Sequence, residues 1–286
     1  MLWIFLSLLS GFFDATIYSY MKRLKHLDEI VLLWVQYLFS VPFLIPLLFF
    51  FMPDAIDHRV YAIGIINAVL LMLTTWALAR AFQSTNLSMA IPLVSLTPLF
   101  LLITSAVMVK EFPTPLGYVG ILLTVMGTYV LNLKESKRGI LGPFVAIFTN
   151  PGPRYALLGA FLMSIMANLF KIGISYSNPF FYTLFIHATI SVVLLMLFVW
   201  RLKSTFAGIR GSVGHCVVMG FSNAAMSLTA GVALLTAIVP YMVSLKRSSV
   251  LFGLFYSHYW FKEQNGRNVY AGALIMVIGA VLIIMS

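Results

Sequence analysis

Charge is scarce in this sequence. Lys, Arg, Asp and Glu make up 9% of its 286 residues, whereas a soluble domain has roughly 25%. Hydrophobic residues make up 61% and form apolar runs of about 20 to 30 residues, and a membrane-spanning helix needs roughly 20. The shortage of charge therefore excludes a soluble globular protein and predicts an all-α integral membrane protein with many spans.

Cysteine and the usual catalytic motifs are also missing. Cys216 is the only cysteine, which excludes an internal disulfide and leaves no partner for a cysteine-based metal site. The sequence has no glycine-rich phosphate loop, no paired carboxylates and no nucleophile accompanied by a base. We therefore expect no enzymatic activity, no cofactor and no metal site, and we expect no transport driven by hydrolysis within this chain.

The apolar runs predict ten transmembrane helices joined by short segments, with no room for a soluble domain. The first run contains Asp14 and lacks both a basic leader and a small-residue cleavage site, so we interpret it as the first helix and not as a secretory signal. The predicted spans are about 2–21, 30–52, 60–80, 86–109, 115–133, 155–177, 179–200, 211–235, 238–261 and 268–285.

Basic residues are distributed unequally between the two sides of the predicted membrane. Thirteen Lys and Arg residues lie in alternate joints on one side, whereas only Arg59 and Lys110 lie on the other. The net charge of +10 would suggest a nucleic-acid partner for a soluble protein, but this placement is typical of membrane orientation and lipid contact. The positive-inside rule puts the thirteen in the cytoplasm, so both termini are predicted on the non-cytoplasmic side of the cell membrane.

The chain repeats itself at an offset of 152 residues. The segment "LFLLITSAVMVKEFPTPLGYVGILLTVMG" then falls on "LFGLFYSHYWFKEQNGRNVYAGALIMVIG", which aligns the Lys-Glu pair and both glycines. Each copy has five predicted helices, an odd number, so the second copy enters the membrane from the opposite side. We predict a 5+5 inverted repeat with residues 1–133 and 155–286 as its halves and residues 134–154 as a cytoplasmic interfacial linker. Inverted repeats of this kind are typical of secondary transporters.

The blocks "SLTPLFLLITSAVMVKEFPTPLGYVGILLTVMGTYVLNL" and "SLKRSSVLFGLFYSHYWFKEQNGRNVYAGALIMVIGAVLI" resemble the two halves of EamA-type members of the drug/metabolite transporter superfamily. The resemblance implies a ten-helix carrier whose central cavity is lined mainly by the first, third, fourth, sixth, eighth and ninth helices. It implies a metabolite as cargo, such as an amino acid, a nucleotide sugar or a sugar phosphate. It also suggests cytoplasmic termini for many members, but the charge asymmetry predicts the reverse here.

Two matching polar stripes lie on the first and sixth predicted helices. An ionisable side chain at the bilayer centre costs roughly 2.5–3.5 kcal/mol, so each such residue needs a partner or a function. Asp14 has three open roles: an ion pair with Lys171 or Lys246, proton uptake during transport, or contact with a substrate amine. The stripes follow helical spacing and consist of Ser7, Ser10, Asp14 and Tyr18, and of Ser164, Asn168, Lys171 and Ser175.

The ninth predicted helix, "VPYMVSLKRSSVLFGLFYSHYWFKE", carries Lys246 and Arg247 near its middle. On a continuous helix Lys246, Ser249 and Gly253 share a face, and Arg247 is turned by about 100° from it. Basic groups within the spans then exceed the one carboxylate, which favours an anionic or zwitterionic cargo, and Arg suits bidentate carboxylate or phosphate contact. The pair also resembles the Lys-Arg pair of sugar-phosphate and nucleotide-sugar carriers.

We therefore predict a secondary-active transporter for a small polar metabolite, with membrane lipids and a coupling proton as further partners. A flippase for a phosphate-bearing lipid is the alternative, in which the basic groups receive the lipid phosphate. His187 is interpreted either as a packed, hydrogen-bonded residue or as a proton carrier with Asp14. The predicted substrate-binding residues are Asp14, Ser10, Asn168, Lys171, Asn223, Lys246, Arg247 and Ser249.

Overall fold

The computed structural model describes residues 1–24, 27–84, 87–132, 142–198, 209, 211–262 and 267–286. Regular structure within these ranges is entirely α-helical. Residues 134–141 of the predicted linker and Glu263 of the second Lys-Glu pair lie outside them. The helices are α1 (Leu2–Arg23), α2 (Glu29–Leu38), α3 (Val41–Leu48), α4 (Arg59–Ser84), α5 (Leu87–Val94), α6 (Thr97–Met108), α7 (Pro115–Asn132), α8 (Gly142–Thr149), α9 (Pro151–Ser175), α10 (Pro179–Phe198), α11 (Val213–Ala233), α12 (Val239–Lys246), α13 (Ser249–Phe261) and α14 (Arg267–Ile284).

Seven stretches of the described chain are long and apolar enough to cross a membrane. Five of them coincide with α1, α4, α9, α10 and α11, and the other two, Ile30–Leu48 and Ala90–Met108, run through the paired helices α2–α3 and α5–α6. The apolar helices α7 and α14 are shorter. The chain is therefore a multi-pass membrane protein.

The ninth predicted helix is discontinuous, which corrects the continuous helix expected from the sequence. α12 ends at Lys246 and α13 begins at Ser249. Consequently Lys246 and Ser249 do not belong to one helical stripe, and a Cβ at Gly253 would meet no atom within 4 Å, so no backbone approaches that glycine. The amide N–H of Arg247 donates to the carbonyl oxygens of Val243 and Ser244, both at 3.2 Å, and so satisfies carbonyls at the end of α12.

The fourth predicted helix has a break at the corresponding place. α5 ends at Val94 and α6 begins at Thr97. These residues lie 152 positions before Lys246 and Ser249, which bound the break in the ninth predicted helix. Pro92 lies within α5, and the hydroxyls of Ser95 and Thr97 donate to the carbonyl oxygens of Pro92 and Val94 at 2.6 and 2.8 Å. These side chains satisfy the carbonyls that the break frees, as non-helical backbone inside a membrane requires.

The helices α7 and α14 pack through glycines that the repeat relates to each other. A Cβ added at Gly120 would lie 2.8 Å from the carbonyl oxygen of Gly279, and one at Gly127 would lie 2.6 Å from that of Gly272. Side chains at these positions would keep the backbones apart, whereas glycine lets membrane helices approach closely. The repeat relates Gly120 to Gly272 and Gly127 to Gly279. Gly120 therefore lies against the counterpart of Gly127, and Gly127 lies against the counterpart of Gly120.

The centre of the bundle is formed by two long helix pairs. α1 packs along α11, and α4 packs along α9. Around them α2 packs on α10, and α12 packs against α1 and α6. This arrangement leaves a cavity between the two pairs, with the end of α12 on its wall.

Candidate functional site

A cavity of about 250 Å³ lies between helices of both halves of the chain. Its charged residues are Asp14 on α1 and Lys246 and Arg247 at the end of α12. Beyond the helices expected from the sequence, α2 and α10 contribute Tyr37 and His187 to the lining. Residues that are far apart along the chain therefore meet around one cavity.

Asp14 has Lys246 as its partner. The ammonium nitrogen of Lys246 lies 3.8 Å from Oδ1 of Asp14, and the two side chains are 26% and 18% exposed. This distance is that of an ion pair but exceeds that of a hydrogen bond, so the contact is loose. Of the two partners considered from the sequence, the structure brings Lys246 and not Lys171 to Asp14.

Arg247 is the cation of the cavity lining for which the described part of the chain offers no hydrogen-bonding or ion-pairing side chain. Among the described residues, its guanidinium makes no hydrogen bond and no ion pair. The residue caps the C-terminus of α12, where the helix dipole favours a positive charge. Asp14 neutralises one of the two cations, so the described lining carries one net positive charge.

Lys171 does not line the cavity but closes one end of the bundle. Its ammonium pairs with Oε1 of Glu111 and donates to the carbonyl oxygen of Ala237 at 2.7 Å. Oε2 of Glu111 accepts from the amide N–H of Val239, the first residue of α12, at 2.7 Å. We name this group the Glu111 latch: Glu111, Lys171 and the backbone of Ala237 and Val239. Lys171, which the sequence predicted as a substrate-binding residue, thus links the segment after α6 to α9 and to the start of α12.

Four other predicted site residues lie between helices and outside the cavity lining. The hydroxyl of Ser10 donates to the backbone carbonyl oxygen of Met226 at 3.0 Å. The side-chain amide of Asn223 donates to the backbone carbonyl oxygen of Gln36 at 3.2 Å. Asn168 donates to Thr104 at 3.0 Å and accepts from Ser105 at 2.7 Å, and Ser249 is buried at the start of α13. Small polar side chains commonly link helices within a membrane in this way.

His187 has a hydroxyl at each ring nitrogen. Nδ1 lies 2.6 Å from Oγ of Ser40, and Nε2 lies 3.0 Å from Oγ of Ser227. The ring of Tyr37 meets the imidazole edge to face at 5.0 Å. A neutral imidazole has one donor and one acceptor, and hydroxyls can satisfy both. This geometry favours the packed, hydrogen-bonded interpretation over the proton carrier.

The sequence did not point to the apolar part of the lining. Methionines and other apolar side chains contribute to the lining of the cavity. On α9 the spacing of Met163, Met166 and Phe170 puts them on one face, which is the only signal that the sequence offers. The lining residues missed from the sequence include Tyr37, Met163, Met166, Phe170, Met226 and Met242.

Comparisons with known proteins agree with this architecture. A solved structure described only as "Crystal structure of protein" is similar to this chain with a TM-score of 0.69 and 18% identity. The similarity covers 96% of this chain and 95% of that one, so the two share a fold along nearly their whole length. No curated protein gives a significant match. Residues 1–133 match the EamA-like transporter family, which confirms the resemblance over the first half of the chain and relates that half to the drug/metabolite transporter superfamily.

Proposed function

We propose that the protein is a secondary-active carrier that moves a small anionic or zwitterionic metabolite by alternating access through the central cavity. The observation that carries this proposal is the pairing of charges in the lining. Lys246 is neutralised by Asp14, whereas Arg247 faces the cavity without a partner among the described residues. An unpaired guanidinium in a low-dielectric space is stabilised by an anion, and its planar fork suits a carboxylate or phosphate.

We propose further that the ten spans form a 5+5 inverted repeat with halves 1–133 and 155–286. Three features recur at the offset of 152 residues: the helix breaks before Thr97 and Ser249, the glycines of α7 and α14, and the left-handed residues Lys110 and Lys262, with φ of 57° and 52°. A non-glycine residue with positive φ is uncommon, so its recurrence at equivalent positions supports duplication. Two such halves can rock around a central site.

The two ends of the bundle differ in the way that alternating access requires. α6 packs against α12 at the end closed by the Glu111 latch. The repeat counterparts of these helices are α13 and α5, and within the described residues they make little contact. The contact of α6 with α12 is formed, whereas the equivalent contact of α13 with α5 is small within the described residues. This difference supports a conformation in which the bundle is closed at one end. The charge asymmetry of the joints supports non-cytoplasmic termini, and the latch lies at the end of the bundle where α1 begins.

Uptake by purified carrier in liposomes tests the proposal. We expect counterflow of at least one organic anion or zwitterion from a panel of monocarboxylates, dicarboxylates, sugar phosphates, amino acids and organic cations. Arg247→Ala should lower it at least about tenfold, because a hydrogen bond to a charged group contributes about 1.5–3 kcal/mol. Lys110→Gln is the matched control, since it removes an exposed charge outside the cavity. Uptake of cations alone, or full uptake by Arg247→Ala, would overturn the proposal.

The size of the cavity supports a small cargo over a lipid. Pockets for drug-sized ligands hold roughly 300–1,000 Å³, and this cavity of about 250 Å³ lies below that range. A flippase would admit only the headgroup and leave the tails in the bilayer. Inhibition of counterflow by short-chain lipid phosphates, with no inhibition by soluble anions, would favour the flippase instead.

A further inference from the structure

We infer that the cargo is an organic monoanion with a compact apolar body, and this inference rests on the proposed carrier function. The lining of the cavity combines two surfaces of different chemistry. One is the charged group of Asp14, Lys246 and Arg247, and the other is a methionine wall formed by Met163, Met166, Met226 and Met242. A cargo that satisfies both surfaces has a charged head and an apolar remainder.

The charged group favours a single negative charge. Lys246 pairs with Asp14 at 3.8 Å, whereas Arg247 makes no ion pair among the described residues, so the three side chains together carry one net positive charge. Asp14 is the carboxylate of the described lining, and its pairing leaves none for a cargo ammonium. A zwitterion would have to displace Lys246 from Asp14, and a dianion would bring one charge more than the lining neutralises. The charges therefore match a monoanion best.

The methionine wall favours an apolar body and tolerates variation in its shape. Met163 and Met166 come from α9, Met226 from α11 and Met242 from α12, so the wall surrounds the space from three helices. Methionine is unbranched and polarisable, and it adapts to the outline of an apolar partner and contacts aromatic rings favourably. Phe170 and Ile190 extend the same apolar lining. A hydrophilic anion would make no apolar contacts with this surface, so it would gain no binding free energy from it.

The charge of the preferred cargo can be tested with compounds that share a phenylpropyl body but differ in their polar group. Calorimetric titration of the purified carrier would compare phenylpropanoate, phenylalanine, phenylpropanol and phenylpropylamine, with acetate as the head without a body. We expect phenylpropanoate to bind tightest. Burial of a side chain of phenyl size favours binding by roughly ten- to a hundredfold, so acetate should bind more weakly by that factor.

Two variants separate the contributions of the two surfaces. Met226→Ser should weaken phenylpropanoate severalfold and leave acetate unchanged, whereas Met126→Ser, on the exposed face of α7, is the matched control. Asp14→Asn frees the charge of Lys246 and should shift the preference from phenylpropanoate to the dianion phenylsuccinate. A thermal unfolding midpoint of each variant near that of the parent protein shows that the fold is retained.

The outcomes distinguish this inference from the proposed function. If acetate binds as tightly as phenylpropanoate and Arg247→Ala abolishes that binding, the carrier site stands and the apolar-bodied cargo is wrong. If phenylalanine binds tightest, the cargo is a zwitterion that takes Asp14 from Lys246, and the inference is again wrong. If only phenylpropylamine binds, both the inference and the anion carrier fail.

Discussion

Replacement of Glu111 by Gln is expected to open the cavity to the end of the bundle where α1 begins. The carboxylate of Glu111 holds both the ammonium of Lys171 and the amide N–H of Val239. Breaking a fully buried ion pair by removing one partner costs roughly 3–5 kcal/mol, and we take about half of this because the two side chains are 13% and 24% exposed. The open form should then be populated roughly ten- to a hundredfold more.

A cysteine in the cavity would report this opening. Cys216 is the only cysteine, so Cys216→Ser provides a thiol-free background, and Ala230→Cys places a small reactive group in the lining. A membrane-impermeant thiol reagent added on the side of the N terminus should label the Glu111→Gln variant faster by the same roughly ten- to a hundredfold factor. Reagent added on the other side should not label it faster.

The matched control for this prediction is Lys110→Gln, which changes the neighbouring residue and leaves the latch intact. Lys171→Gln should accelerate labelling as Glu111→Gln does, and the double variant should add little to either, because both changes break the same pair. Equal labelling rates in the parent protein and in Glu111→Gln would show that the latch does not close the cavity.

Gly127→Leu is expected to prevent the packing of α7 against α14. A Cβ at residue 127 would lie 2.6 Å from the carbonyl oxygen of Gly272 and 2.6 Å from the amide nitrogen of Met276. Overpacking of a core typically costs about 1–3 kcal/mol, and here the obstructing atoms belong to the backbone and cannot rotate away. We expect the cost to reach or exceed that upper value, so the yield of folded protein should fall severalfold and its thermal unfolding midpoint should fall by several degrees.

Glycines elsewhere in the chain provide the control. A Cβ at Gly253 on α13 would meet nothing within 4 Å. Gly253→Ala should therefore be neutral or stabilising by about 0.5–1 kcal/mol, because alanine favours a helix interior over glycine. A Gly127→Leu variant as stable as the parent protein would mean that α7 and α14 do not pack as described. Fluorescence-detected chromatography on heating measures both variants in detergent.

Part of the site was accessible from the sequence because ionisable residues inside apolar runs are rare. Asp14, Lys246 and Arg247 stood out for that reason, and the structure brings all three to one cavity. Lys171 stood out equally, but its partner Glu111 lies in a joint 60 residues earlier in the chain. A helical stripe shows which side a residue faces within its own helix, and it does not show which neighbour covers that side.

The break in the ninth predicted helix had no clear signal in the sequence. Neither Arg247 nor Ser248 is a proline or glycine, and Pro240 lies at the start of α12, where proline is compatible with a helix. The internal repeat held the missing information, because Pro92 and Pro98 flank the equivalent break in the first half. The methionine wall was hidden for another reason: in a chain this apolar, hydrophobicity does not separate residues that face a cavity from those that face lipid.

The break at Arg247–Ser248 leads us to expect that different helices determine the affinity for the cargo and the rate of transport. This broken span contributes Met242, Val243, Lys246 and Arg247 to the lining, and none of these residues belongs to α13. We therefore expect a movement of α13 during transport to leave the lining residues of α12 in place. Substitutions along α13 should change the turnover number of transport and leave the dissociation constant of the cargo unchanged, whereas substitutions in α12 should change the dissociation constant.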